Sequence, residues 1–121
     1  EIITLISLRR TLKNGNTQRA YCEKTDKIDE YIRKLTLSLK PYGPLNFQLR
    51  VTERGPVVFE INPRFSGTTP IRALFGVNEV EAVIRKLTGL KFKSAYTEKE
   101  GVVIRYFENQ YIPWDQYGTF S

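Results

Sequence analysis

The alternation of apolar and polar positions is cleanest over residues 45–62, LNFQLRVTERGPVVFEIN. Successive side chains of an extended chain point to opposite sides, so Leu45, Phe47, Leu49 and Val51 share one face and Asn46, Gln48 and Arg50 the other. After a turn at 53–56, Val57, Phe59 and Ile61 alternate with Val58, Glu60 and Asn62. A three-residue hairpin loop that accommodates glycine sets Gln48 opposite Glu60 and brings the two apolar rows together. A one-residue slip would bury the carboxylate among valines. Phe47, Phe59 and Ile61 are therefore expected in the core, under helices that cover this face.

The same reading extends along the chain. Ile2–Leu12 and Thr17–Glu23 flank Asn14-Gly15, a dipeptide suited to the positive φ of a type I′ turn, and predict a β-hairpin in which Arg10 faces Arg19. Thr25 or Asp26 caps a helix whose apolar face carries Ile28, Tyr31, Ile32, Leu35 and Leu39, stopped by Pro41 and Gly43. Thr69-Pro70 opens a short helical turn that ends at Gly76. Asn78 with Glu81 resembles a capping box for a helix over 79–88, closed by Gly89. Residues 101–112 read as a last strand. The order β-β-α-β-β-α-β predicts an α+β fold, an antiparallel sheet with helices packed on one face.

Composition narrows the chemistry. The chain has 121 residues, no histidine, one cysteine (Cys22) and no methionine. His-ligated zinc, His-based triads and an internal disulfide are excluded. No apolar run approaches the roughly 20 residues that cross a bilayer, and residues 1–8 lack the basic start of a signal peptide, which predicts a cytoplasmic protein without a membrane partner. A chain that begins at Glu1 and ends without a terminating element reads as a piece of a longer protein. Its net charge of +6 favours anionic partners without choosing among them.

The polar row of the 45–62 hairpin makes that choice sharper. Glu60 and Asn62 lie two residues apart on one strand, about 6.5 to 7 Å at the backbone, so their oxygens can converge on one hard cation. Arg64, just beyond, offers a planar fork for phosphate oxygens. A solvated polar face is the plain alternative, since half-wet strands are common in antiparallel sheets.

GPLNFQLRVTERGPVVFEINPRFSGTTP, residues 43–70, resembles the closing segment of the ATP-grasp fold, in the branch that contains the carbamoyl-phosphate synthase large chain. The resemblance lies in a Gln-bearing strand, the Glu of E-x-N-P-R twelve residues later, and a small-residue loop. It follows the element order over residues 1–90, implying that 1–90 is the C-terminal ATP-grasp subdomain and 91–121 an extension with a further strand and an aromatic tail. The resemblance implies that Gln48, Glu60 and Asn62 hold magnesium (or manganese) ions bridging the phosphates of ATP. It also implies that Arg64 contacts the phosphate or the phosphorylated intermediate as the catalytic cation, with Asn62 also at the nucleotide, and that Ser66, Gly67 and Thr68 lie near the acceptor. The implied chemistry is phosphorylation of a small carboxylate by ATP to an acyl phosphate, which an amine or other nucleophile attacks.

The adenine pocket, phosphate lysine and Gly-rich loop of the earlier ATP-grasp lobe are not recognisable here. That lobe is accordingly an expected partner, and the 121 residues alone are expected to be inactive and to bind nucleotide weakly. Arg10 and Arg19 together are a candidate further phosphate contact, because an anion between them would relieve a like-charge cross-strand pair; two splayed, solvated arginines are the plain alternative. The aromatics of 105–118 are expected at an interface with the missing lobe or with a second copy. A noncatalytic basic module for RNA or another polyanion is the competing class. Glu60 argues against it, since a carboxylate repels nucleic-acid phosphate unless a cation intervenes, and the lysine-aromatic mixture of 91–100 reads as a solvated loop.

Overall fold

The computed structural model describes residues 1–91, 98–106 and 108–118. Strands β1 (Arg9–Lys13) and β2 (Asn16–Cys22) form a hairpin, followed by helix α1 (Asp26–Leu39) and a second hairpin of β3 (Asn46–Thr52) and β4 (Gly55–Asn62). Helices α2 (Thr69–Leu74) and α3 (Glu79–Thr88), strand β5 (Gly101–Ile104) and the short α4 (Trp114–Tyr117) complete the order. The fold is α+β with antiparallel ladders throughout, as the patterning predicts. The strands divide into two sheets, however: β1-β2-β5 and the separate pair β3-β4. No helix among the described residues is long and apolar enough to cross a membrane.

Local chemistry accounts for the element ends. Asn14 (φ 51°) and Gly15 (φ 76°) take the positive-φ turn that joins β1 to β2. Lys40 adopts a left-handed cap (φ 49°) after α1, and Pro41 cannot continue the helix. The Asn78 side chain accepts a 3.0 Å bond from the Glu81 amide at the start of α3, and Gly89 (φ 69°) closes it.

Two bulges separate the observed registers from simple pairing. In the first hairpin the register shifts between Thr11 and Leu12, so that Thr11 faces Arg19 and Arg10 faces Ala20. The expected Arg10–Arg19 pair therefore does not form. In the second hairpin Thr52 pairs with Gly55 across a two-residue loop rather than three, and regular counting would then set Gln48 against Phe59. A shift between Gln48 and Leu49 leaves Phe59 as the extra residue and restores Gln48 opposite Glu60. The expected pairing is present, but it is reached by a different route.

The packed core lies under the first sheet. Ala20, Cys22, Ile71 and Phe75 form its buried cluster, with Ile6, Leu8 and Val103 packed against it. Ile6 and Leu8 lie before β1, which begins only at Arg9, so residues 2–8 bury apolar surface without joining the expected longer strand. Strand β5 likewise stops at Ile104 instead of reaching 112. The larger departure is the apolar side of β4. Phe59 is 59% exposed and Ile61 42%, so helices do not cover the face assigned to them. The bulge also sets Val57 opposite Arg50, and the Arg50 guanidinium carbon stands 6.0 Å from the Phe59 ring centroid. Of the lysine-aromatic stretch, residues 92–97 lie outside the described residues.

Candidate functional site

The polar row assembles on β3 and β4, with Glu60 and Asn62 in direct side-chain contact. The Asn62 amide nitrogen donates to a Glu60 carboxylate oxygen at 2.6 Å. Gln48 lies across the ladder from Glu60, and its side-chain oxygen accepts from the Arg10 guanidinium, which also reaches the Thr17 hydroxyl at 3.4 Å. Thr17 is buried, so one end of the Arg10 fork is tied to the first sheet and the other to the second. Arg19 does not join this group. Its neighbour Ala20 is fully buried while Arg19 is exposed, and adjacent strand residues point to opposite faces.

After β4 the chain turns sharply, with the Arg64 amide bonded to the Asn62 carbonyl at 2.9 Å. The Arg64 guanidinium donates to the Phe65 carbonyl at 3.0 Å and remains exposed. Ser66 organises the next turn: its hydroxyl lies 2.6 Å from that of Thr68 and accepts from the Thr68 amide at 3.1 Å. Arg10, Gln48, Arg64 and Ser66–Thr68 all line one cleft of about 1380 Å³, whereas Glu60 and Asn62 are not among its lining residues.

The donor set suits a hard cation of the magnesium type. No group of three or more His, Cys, Asp or Glu that could hold a metal exists among the described residues. A cation here would rest on the Glu60 carboxylate and the amide oxygens of Gln48 and Asn62. Magnesium accepts so small a protein contribution, because it keeps several waters and takes further oxygens from substrate phosphates. Asn62 already directs its nitrogen toward Glu60, which leaves its oxygen for a ligand. Gln48 would have to exchange the Arg10 guanidinium for the cation.

Three features of the cleft escape sequence patterning. Asn46 belongs to the polar row but is buried at 8% exposure, its oxygen accepting from Arg72 at 2.9 Å. Arg72 in turn pairs with Glu79, both side chains being largely buried, which fastens α2 and α3 to the start of β3. Arg105 donates to the Gly67 carbonyl at 2.7 Å across 38 positions of sequence. None of these spacings has a periodic signature. Outside the cleft, burial and the nearby Glu98 push the Cys22 thiol up, the opposite of what a nucleophile requires.

Comparison with known proteins places the sequence among relatives. Residues 1–110 match the family model described as ATP-grasp in the biosynthetic pathway with Ter operon. The carbamoyl phosphate synthase large chain of Acidobacterium capsulatum is 32% identical over 100 residues, covering 76% of this chain and 9% of that protein. The uncharacterised protein y4rH of Sinorhizobium fredii is 41% identical over 51 residues, 42% of this chain and 10% of its own length. The chain thus spans about a tenth of the length of these curated relatives.

Proposed function

The chain belongs to the ATP-grasp family, and from that premise we propose that it forms the magnesium-phosphate side of the nucleotide cleft of a ligase that activates a carboxylate as an acyl phosphate. The observation that carries this reading is the contact set around Glu60: Gln48 directly across the ladder, Asn62 bonded to the carboxylate, and Arg10 bonded to Gln48.

Each residue has a role that follows from its chemistry. Glu60 supplies the negative charge of the cation site, and Gln48 and Asn62 add neutral oxygens that orient the cation without overbinding it. Magnesium held by these three residues would supply charge neutralisation to the phosphates undergoing transfer. Arg64 presents an exposed fork at the end of β4, suited to the transferring phosphoryl group. Arg10, bonded to Gln48 in this structure, would be placed to pair with a phosphate oxygen if Gln48 turned to a cation. The hydroxyl-rich turn at Ser66–Thr68 faces the same cleft, where an acceptor carboxylate would approach. Catalysis by these residues is positioning and electrostatic stabilisation, with no covalent step on the protein.

Calorimetry of Mg-ATP binding to the full-length protein tests the assignment. Gln48→Ala and Asn62→Ala are each expected to weaken binding about tenfold, in the range seen for residues that orient a metal site. Unchanged affinity in both variants would remove the polar row from the nucleotide site.

A further inference from the structure

Arg105 links parts of the chain that the sequence keeps far apart. It follows β5 directly, and its amide donates to the Gln18 carbonyl at 2.8 Å. Gln18 is the residue that the β1–β2 bulge leaves without a partner on β1, and its carbonyl carries the β2–β5 ladder one step past β5. With its backbone fixed in this way, the half-buried Arg105 side chain extends to the Gly67 carbonyl at 2.7 Å. Gly67 is the middle of the turn whose two ends are joined through the Ser66 and Thr68 hydroxyls. Arg105 lines the same cleft as Arg10 and Arg64. Among the described residues none of these three arginines has a carboxylate partner.

We propose that Arg105 is a positioning residue, whose guanidinium clamps the Gly67 carbonyl and so holds the Ser66–Thr68 turn against the cleft. The reason is mechanical. A turn of small residues has little side-chain packing to order it, and its hydroxyl bonds are internal, so they shape the turn without fixing it to the rest of the fold. A charge-assisted bond from a residue anchored in the β1-β2-β5 sheet supplies that fixation. It also makes the strand after residue 100 part of the site, although the E-x-N-P-R run lies on the other hairpin. The role rests on reading the cleft as the phosphate side of a ligase, and a control separates the two.

The test compares Arg105→Ala and Arg105→Lys in the full-length protein by hydrogen exchange and by ATP turnover. The Thr68 and Thr69 amides report on the turn, since they are bonded to the Ser66 hydroxyl and carbonyl respectively. Arg105→Ala is expected to speed their exchange about tenfold or more and to lower kcat about tenfold with the KM for ATP unchanged. Arg105→Lys, which keeps a charged donor, is expected to recover most of both, with the melting temperature unaltered. Unchanged exchange at Thr68 and Thr69, or unchanged kcat, in Arg105→Ala overturns the proposal. If the alanine variant does not fold, Arg105→Met keeps the stem without the donor and is judged by the same outcomes. Glu60→Gln is the control: unaltered Mg-ATP affinity there overturns the reading of the cleft, whereas an unaltered turn in Arg105→Ala overturns the role of Arg105.

Discussion

The two β-hairpins use the same device to opposite ends. Each closes through a two-residue loop, and each contains one bulge. In β1–β2 the bulge separates two arginines that simple pairing would set face to face, leaving Arg10 toward the cleft and Arg19 toward solvent. In β3–β4 it brings together Gln48 and Glu60, which simple pairing would set one residue out of step. The support beneath them also differs. Ala20 and Cys22 of β2 are buried against Ile71 and Phe75, whereas Phe59 and Ile61 of β4 remain substantially exposed. Buried packing is therefore concentrated under the first hairpin and most of the proposed cation ligands on the second, so substitutions in the two regions should separate folding from function.

The largest expected effect falls on the second hairpin. Glu60→Gln in the full-length protein should reduce ATP turnover by about a hundredfold or more, the scale for losing one electrostatic stabiliser of a developing charge, while the melting temperature stays within about 2 °C. A melt that collapsed with the activity would mean that Glu60 is structural. The next effect falls on the first hairpin. Phe75, 4% exposed, should cost about 3 to 5 kcal/mol when replaced by alanine. Phe59→Ala should cost about 1 kcal/mol or less, because its ring is already largely in solvent. Denaturant melts of the pair would break the comparison if the order were reversed.

A sharper test removes the bulge itself. Deleting Phe59 lets the two-residue loop lead directly to Gln48 opposite Glu60, so Mg-ATP affinity should stay within about threefold of wild type. A loss beyond about tenfold would show that the extra twist of the bulge, and not register alone, aims the carboxylate. The smallest effect concerns Cys22. Its thiol is buried, and burial together with nearby acids holds it above the ordinary cysteine value, so the protonated form dominates at neutral pH. Alkylation by iodoacetamide should be slow in the folded protein and accelerate on unfolding. Rapid labelling at neutral pH would contradict the packing assigned to the first sheet.

What the sequence discloses here follows from the range of the interactions involved. The caps of α3 and the Asn14-Gly15 turn are local chemistry and were readable from residues a few positions apart, as the Asn78–Glu81 bond and the left-handed Gly89 show, whereas Thr25 makes no side-chain cap bond and α2 is capped at Thr68, one residue before the expected Thr69. The facing of Gln48 and Glu60 was also legible, although the burial expected to enforce it is missing, since Phe59 and Ile61 stay exposed and a bulge sets the register. The β3–β4 bulge was not, since an extra residue in an apolar run leaves no mark when valine, phenylalanine and isoleucine are all acceptable on either side, and neither was the one at Gln18, which lies in the polar run 16–19. Nor could patterning find Arg72 beside Asn46 or Arg105 beside Gly67. These contacts depend on how α2 and β5 return to the hairpins, and long-range packing has no period. The exposed face of β4 marks the same boundary, because alternation identifies an apolar face but not what covers it.

Glu60 is proposed to serve the nucleotide through a divalent cation. Calorimetric titration of ATP into full-length wild type and Glu60→Gln, each with and without magnesium, measures that coupling directly. The account predicts that the substitution weakens binding about tenfold or more in magnesium and has no such effect on metal-free ATP, where a carboxylate facing phosphate offers no advantage. Equal loss in both conditions, or no loss in either, would show that Glu60 does not act through the metal and would contradict the account.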